Sequence, residues 1–84
     1  MAKATKPFPL KILPKLEAYA LSSGWEREAV APTGWEVLRL YKVTEVGLVL
    51  RASFYRDKNN IGRAPTGDPT YLLNEFYANG LDLK

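Results

Sequence analysis

The sequence predicts a small α+β domain in which both helices cover one face of a three-stranded antiparallel sheet, in the order α-β-β-β-α. Apolar residues recur at helical spacing near both ends of the chain. Between them, residues 35–56 alternate as paired strands do, around a turn that contains Gly. These observations together favour helices that flank an antiparallel sheet.

The length and composition are those of one folded domain. The chain has 84 residues, of which 46% are hydrophobic and 12% aromatic, and so short a chain builds a single core. We expect residues 1–12 to form a basic extended arm and residues 13–84 a single α+β domain. Pro7 and Pro9 favour the arm because each fixes φ and lacks a backbone N–H.

The first helix is predicted over about residues 14–23. Pro14 suits a first helical turn, and Gly24 is placed to terminate the helix. Trp25–Val30 is then predicted to form the first strand.

The second and third strands are predicted to form a hairpin with a defined register. Glu45-Val46-Gly47 has Gly in third position, as a three-residue hairpin loop requires, so Thr44 faces Leu48. Counting from that pair gives the register Tyr41 opposite Arg51, Leu40 opposite Ala52, Arg39 opposite Ser53, Leu38 opposite Phe54 and Val37 opposite Tyr55. A slip of one residue would set arginines against core leucines, which is costly.

Alternation sorts this hairpin into two faces. The even-numbered side chains are almost all apolar and are predicted to form the helix-covered core, and we call their side the even face: Leu38, Leu40, Leu48, Leu50, Ala52 and Phe54. The odd-numbered residues 39–43 and 49–55 share the other side, which we call the odd face, and Trp35 and Val37 are predicted to extend it. A three-residue loop before Trp35 would put Trp25 and Arg27 on the odd face, and a two-residue loop would put them on the even face.

The remaining chain is predicted to hold a long mobile loop and a second helix. Residues 57–67 lose the strand pattern and are rich in Asn, Gly and Pro. Asp68 is expected to be the N-cap of the second helix, with Pro69 in the first turn, and Asn79-Gly80 to end it.

The composition excludes much enzyme chemistry. The chain has no His and no Cys, which rules out the usual zinc sites, Ser-His-Asp and Cys-His arrangements, and thiol redox chemistry. Glu26 and Glu28 are interpreted as a solvated strand face, and Gly62–Gly67 as a connecting loop more than a phosphate cradle. We therefore expect a protein that is not an enzyme and uses no metal or cofactor.

The candidate binding residues combine aromatic and basic side chains: Trp35, Arg39, Tyr41, Arg51 and Tyr55 on the sheet, with Arg56, Lys58 and Arg63 beside it. Aromatic rings stack on bases, and Arg adds stacking and attraction for phosphate. One hypothesis is therefore binding of single-stranded or distorted duplex nucleic acid. A second is a regulator or inhibitor that uses the same face against one protein partner, and a third is a homodimer that buries it. The net charge of +3 is mild for a nucleic-acid-binding protein.

The predicted element order, with Ser23-Gly24-Trp25 joining helix to strand, resembles double-stranded-RNA-binding domains and small messenger-RNA-cleaving toxins of HicA type. Those toxins use a His on the first hairpin, which this chain lacks. The RNA-binding domains have a Lys-rich start to the second helix, where this chain has Asp68-Pro69-Thr70-Tyr71. The functional residues of neither family carry over.

The sequence also favours a soluble cytoplasmic protein without membrane association. No apolar run is long enough to span a bilayer, and the basic start lacks the apolar stretch of a secretory signal. The absence of Cys fits a reducing compartment.

Overall fold

The computed structural model describes residues 5–31 and 34–83, and it is an α+β fold with an antiparallel sheet, as predicted. The sheet has five strands instead of three. The strands are β1 (Thr5–Pro9), β2 (Glu26–Glu28), β3 (Glu36–Val43), β4 (Val49–Arg56) and β5 (Ile61–Pro65), in the spatial order β1-β5-β4-β3-β2. The helices are α1 (Leu13–Ser22) and α2 (Asp68–Ala78), with short 3₁₀ helices at Leu10–Ile12 and Leu81–Leu83.

The two unpredicted strands, β1 and β5, come from segments that the sequence marks as an arm and a loop. They pair with each other from Thr5 opposite Pro65 to Pro9 opposite Ile61. Phe8 stabilises this pairing, because its ring is buried and packs edge-to-face on Phe54, with 5.9 Å between the ring centroids. Residues 61–65 are therefore a strand where a loop was predicted, and residues 5–9 of the predicted extended arm pair within the sheet. The added strands depart from the predicted α-β-β-β-α order.

Gly62 makes the approach of β1 to β5 possible. An added Cβ at Gly62 would lie 2.4 Å from Cε2 of Phe8, so only a residue without a side chain leaves room for this ring. Glycine in β5 is thus a packing requirement, although its sequence signal is that of a loop.

The hairpin of β3 and β4 has the predicted register over most of its length. Four of the five predicted pairs are confirmed, from Tyr41 opposite Arg51 to Leu38 opposite Phe54. The fifth is wrong, because a bulge at Val37 places Glu36 opposite Tyr55. At the other end, the Thr44 N–H donates to the Leu48 carbonyl at 2.8 Å and Gly47 adopts a φ of 84°, as the three-residue loop requires.

One apolar core joins the helices to the even face. Its buried members are Phe8, Ile12, Leu16, Ala20, Leu38, Leu40, Ala52, Phe54, Ala64, Leu72, Leu73 and Phe76. Two predicted core residues are missing from it: Leu48 is 62% exposed and Leu50 is half-buried. Both leucines lie nearer the turn of the hairpin than the buried Leu40 and Ala52, which leaves them outside the core.

Both helices end near the predicted residues, but one predicted cap is wrong. Gly24 and Gly80 follow the helices with φ of 94° and 66°, the left-handed conformation in which Gly is favoured. Gly67, and not Asp68, is the N-cap of α2. Asp68 lies in the first turn, where its negative charge interacts favourably with the helix dipole. Within the described ranges, neither helix has the length and apolarity needed to cross a membrane.

Candidate binding face of the sheet

The odd face gains two acidic residues from β2. Glu26 pairs with Tyr41 and Glu28 pairs with Arg39, so both carboxylates lie on the same side of the sheet as their partners. Arg27 alternates to the other side, where it lies 3.8 Å from Glu17 of α1. Of the two alternatives for the first hairpin, the structure thus has Trp25 and Arg27 on the even face.

Arg39 is held by a carboxylate from its own strand. The bulge at Val37 brings Glu36 to the odd face, and both carboxylate oxygens of Glu36 accept a hydrogen bond from Arg39 Nε at 3.1 Å. Arg39 beside it, together with a hydrogen bond from Ser53, outweighs desolvation and lowers the pKa of Glu36. Arg39 is therefore engaged in a charge-assisted, two-point contact and its guanidinium is partly neutralised.

Arg51 is paired in the same way across the sheet. Its Nη1 lies 2.7 Å from Oε1 of Glu28, although Arg51 belongs to β4 and Glu28 to β2. The pair spans β3 and places one positive and one negative charge at the centre of the odd face.

Arg63 is the third arginine of this side, and it also has an acidic partner. It faces Tyr55 in the pairing of β4 with β5, and its Nε lies 3.0 Å from Oδ2 of Asp57. The pKa of Asp57 is lowered first by the backbone N–H of Ile61, and further by the Asn59 N–H and by Arg63. Asp57 thus closes the β4–β5 turn and binds the arginine with the same carboxylate.

Tyr41 lies beside an acid instead of a base. The negative charge of Glu26 raises the pKa of Tyr41, with further contributions from desolvation, a hydrogen bond to Glu26 and the charge of Glu28. Tyr41 therefore stays a neutral ring next to a negative charge.

Apolar side chains complete the odd face near the end of the hairpin. Val43 and Val49 are directly opposite each other and are 57% and 51% exposed. Tyr55 is also exposed, and a shallow depression runs between Tyr41, Val43, Val49 and Arg51. The odd face is therefore mixed, with exposed apolar and aromatic surface among ion pairs.

Three of the predicted binding residues lie apart from this group. The bulge moves Trp35 out of the odd-face alternation, and it contacts Arg56, whose guanidinium lies 4.9 Å from the centre of the Trp35 ring. Trp35 is 57% exposed, and the Arg56 Nη1 also donates to the Asn60 side chain at 3.2 Å. Lys58 is exposed in the adjoining turn. Val37, predicted on the odd face, instead packs against the core.

Sequence reasoning missed the acidic half of the odd face. Glu28 and Glu36 are found there because of the β2 register and the bulge, and neither has a strong local signal. The available hints were a single Glu-X-Glu pattern at Glu26 and Glu28 and a Glu three residues before Arg39. Within residues 5–31 and 34–83, no group of three or more acidic side chains is arranged to hold a metal ion.

Comparison of the chain with protein-family models, curated proteins and solved structures finds no match.

Proposed function

We propose that this chain is a non-enzymatic module that binds one protein partner through the odd face. The observation that carries the proposal is that Arg39, Arg51 and Arg63 each contact a carboxylate, at 3.1, 2.7 and 3.0 Å. The face therefore presents balanced charge in place of a basic patch.

Balanced charge favours a protein partner over a phosphate backbone. Nucleic-acid binding draws much of its affinity from Lys and Arg that replace counterions on phosphates. Here the phosphate would have to compete with Glu36, Glu28 and Asp57 for the arginines, and would meet the carboxylate of Glu26 as well. A protein surface instead offers groups of both signs, which complement such a face without separating its ion pairs.

The side chains of the odd face match those that dominate protein interfaces. Tyr, Trp and Arg are enriched among the residues that contribute most binding energy, usually around an apolar centre with a polar rim. Val43 and Val49 supply exposed apolar surface, Tyr41 and Tyr55 supply aromatic rings, and the ion pairs surround them.

The proposal takes the even face to be covered by both helices, which leaves the odd face for the partner. Its support is that Leu16 of α1 and Phe76 of α2 belong to the same buried cluster as Leu40 and Phe54. Side chains at odd positions of the hairpin then point away from that cluster.

A capture experiment tests the proposal. The tagged chain is incubated with lysate, with and without nuclease treatment, alongside an Arg51→Ala, Tyr55→Ala double variant and a Tyr71→Ala control. Tyr71 is exposed on α2 and is not one of the odd-face residues. A protein that the wild type and the control retain, that the double variant loses, and that binds again after purification supports the proposal. Capture that is equal for all three chains, or that nuclease abolishes, contradicts it.

A second candidate function, binding of single-stranded nucleic acid, is favoured by the Trp35–Arg56 pair. These residues form an exposed ring and cation beside Lys58, and Arg56 contacts a ring and an amide instead of a carboxylate. Stacking of a base on Trp contributes about 1–3 kcal/mol and needs no base-specific contact.

Trp35 provides its own probe for this second function. In a Trp25→Phe background, addition of a single-stranded oligonucleotide should quench Trp35 fluorescence, and added salt should reverse the quenching. Unchanged fluorescence at low salt would exclude this site.

A further inference from the structure

The backbone of β4 has two sets of hydrogen-bonding groups that point to opposite sides. The Thr44 N–H donates to the Leu48 carbonyl at 2.8 Å, so the even-numbered residues of β4 direct their N–H and C=O groups toward β3. On the other side, the Asp57 N–H donates to Ile61 at 3.0 Å. The odd-numbered residues therefore direct their groups toward the β5 side.

The strand β5 occupies only the last part of that side. Its pairing with β4 covers Tyr55 opposite Arg63 and Arg56 opposite Gly62. The next hydrogen-bonded pair would join Ser53 to Pro65, but Pro65 has no N–H to donate. Within the described part of the chain, the outward groups of Val49, Arg51 and Ser53 consequently have no neighbouring strand.

Space remains beside this open stretch of β4. A cleft of about 440 Å³ separates Arg51, Ser53 and Tyr55 from Pro65 and Pro69. The end of the hairpin, at Val49, extends beyond it and is exposed.

The outer edges of the sheet are protected by different means. On β1, Pro7 and Pro9 alternate with the residues that bond to β5, so their missing N–H groups fall on the outer edge. On β2, only three residues form the strand, and they carry three charges. The open stretch of β4 has neither proline nor a short length to protect it.

Two apolar side chains that alternate with core residues of β4 lie beside this open stretch. Leu48 is 62% exposed and Leu50 is half-buried, although both alternate with the core residues Ala52 and Phe54. An occupant of this edge that brings its own apolar side chains would remove these leucines from water.

We propose that the occupant is β4 of a second copy of this chain, paired antiparallel about a twofold axis at Leu50. In this register Val49 lies opposite the partner's Arg51, and the outward N–H and C=O groups of both residues pair. Leu50 meets the partner's Leu50 in a close, non-hydrogen-bonded pair on the even face. A register centred on Arg51 would oppose two like charges, which is unfavourable.

The edge-to-edge dimer is independent of the proposed function and leaves the odd face accessible. It would join the odd faces of the two copies into one continuous surface. Because so short a pairing buries less than a standard interface of about 1,600 Å², we expect a weak dimer that forms at about 0.1–1 mM chain.

Sedimentation and amide exchange of the purified chain test this proposal together. As concentration rises, the sedimenting mass should approach twice 9.4 kDa. Over the same range, exchange of the Val49 and Arg51 amides should slow as the monomer fraction falls, by about two- to fivefold near 1 mM, because these amides exchange from the monomer. The Leu50 and Ala52 amides, which bond to β3, should be slow at every concentration.

Matched variants identify the interface. Leu48→Lys should reduce self-association at least tenfold, whereas Val46→Lys, at an 81% exposed position in the same loop, should not. Both should keep the wild-type circular dichroism spectrum. A chain that stays monomeric at about 1 mM, the upper end of the range expected for edge pairing, overturns the proposal. So does a dimer in which the Val49 and Arg51 amides still exchange fast, which is the outcome expected if the odd faces pack together.

Discussion

At the scale of single residues, the charge that the odd face presents depends on which carboxylate pairs with which arginine. Arg39 is 40% exposed and Arg51 is 63% exposed at the side chain, so solvent screens both pairs and their contribution to stability is small. Their effect on recognition is larger, because each pair removes a cation that a phosphate would need. In the proposed function, the same contacts that add little to folding are the ones that favour a protein partner over nucleic acid.

The ion pair at Arg39 predicts how stability depends on pH. Because Arg39 lowers the pKa of Glu36 in the folded chain, the pair stabilises the fold above the pKa of an unfolded Glu, about 4.3, and this contribution is lost as the pH falls through the folded value. The free energy of unfolding of Glu36→Gln should therefore lie below that of the wild type near pH 6, and the difference should shrink toward about pH 3.

Urea denaturation across this pH range measures the effect. Glu45→Gln, which changes an exposed loop carboxylate, is the control. A difference between wild type and Glu36→Gln that is constant with pH would show that the pair contributes nothing.

At the scale of elements, local signals predict the hairpin well and the β1–β5 pair poorly. The β3–β4 register depends on one three-residue turn and on alternation, both readable over about twenty residues. The pairing of Thr5–Pro9 with Ile61–Pro65 joins segments far apart in sequence, and their Pro and Gly content is typical of irregular chain. The bulge at Val37 has no local signal, so the positions of Glu36 and Trp35 could not be predicted either.

The contact between β1 and β5 is tested by Gly62→Ala. The new Cβ would overlap the buried ring of Phe8, so we expect a loss of about 1–3 kcal/mol in the free energy of unfolding. Gly34→Ala is the matched control, since its Cβ would have no neighbour closer than 3.6 Å. Equal midpoints of urea denaturation for the two variants would contradict the close approach of β1 to β5.

The packing of α2 is tested by Phe76→Ala. Phe76 is fully buried and contacts the ring of Tyr19 on α1 at 6.3 Å between centroids, so its truncation should cost about 3–5 kcal/mol. Tyr71→Ala on the exposed side of the same helix should change stability by less than about 0.5 kcal/mol. A Phe76→Ala chain with the same midpoint of urea denaturation as the wild type would show that α2 does not pack against the core through Phe76.

At the scale of the whole molecule, the sheet has one face that contributes to the apolar core, one charge-balanced face and an open stretch of β4 beside β5. A small core gives such a domain only a few kcal/mol of stability, about 3–5 at this size. Enclosing both faces was not required, since an antiparallel sheet is stable with one face in water. In the two proposals, the odd face and the open stretch of β4 make separate contacts, one with a protein partner and one with a second copy.

The most direct test of the central claim is the affinity for a single-stranded oligonucleotide when the carboxylates are neutralised. If Glu28 and Glu36 occupy the arginines, the wild type should bind weakly through the odd face, and a Glu28→Gln, Glu36→Gln double variant should bind at least tenfold more tightly at low salt, by about 1.4 kcal/mol or more. The opposite result would be tight, salt-sensitive binding by the wild type that the double variant does not improve and that an Arg39→Ala, Arg51→Ala variant loses.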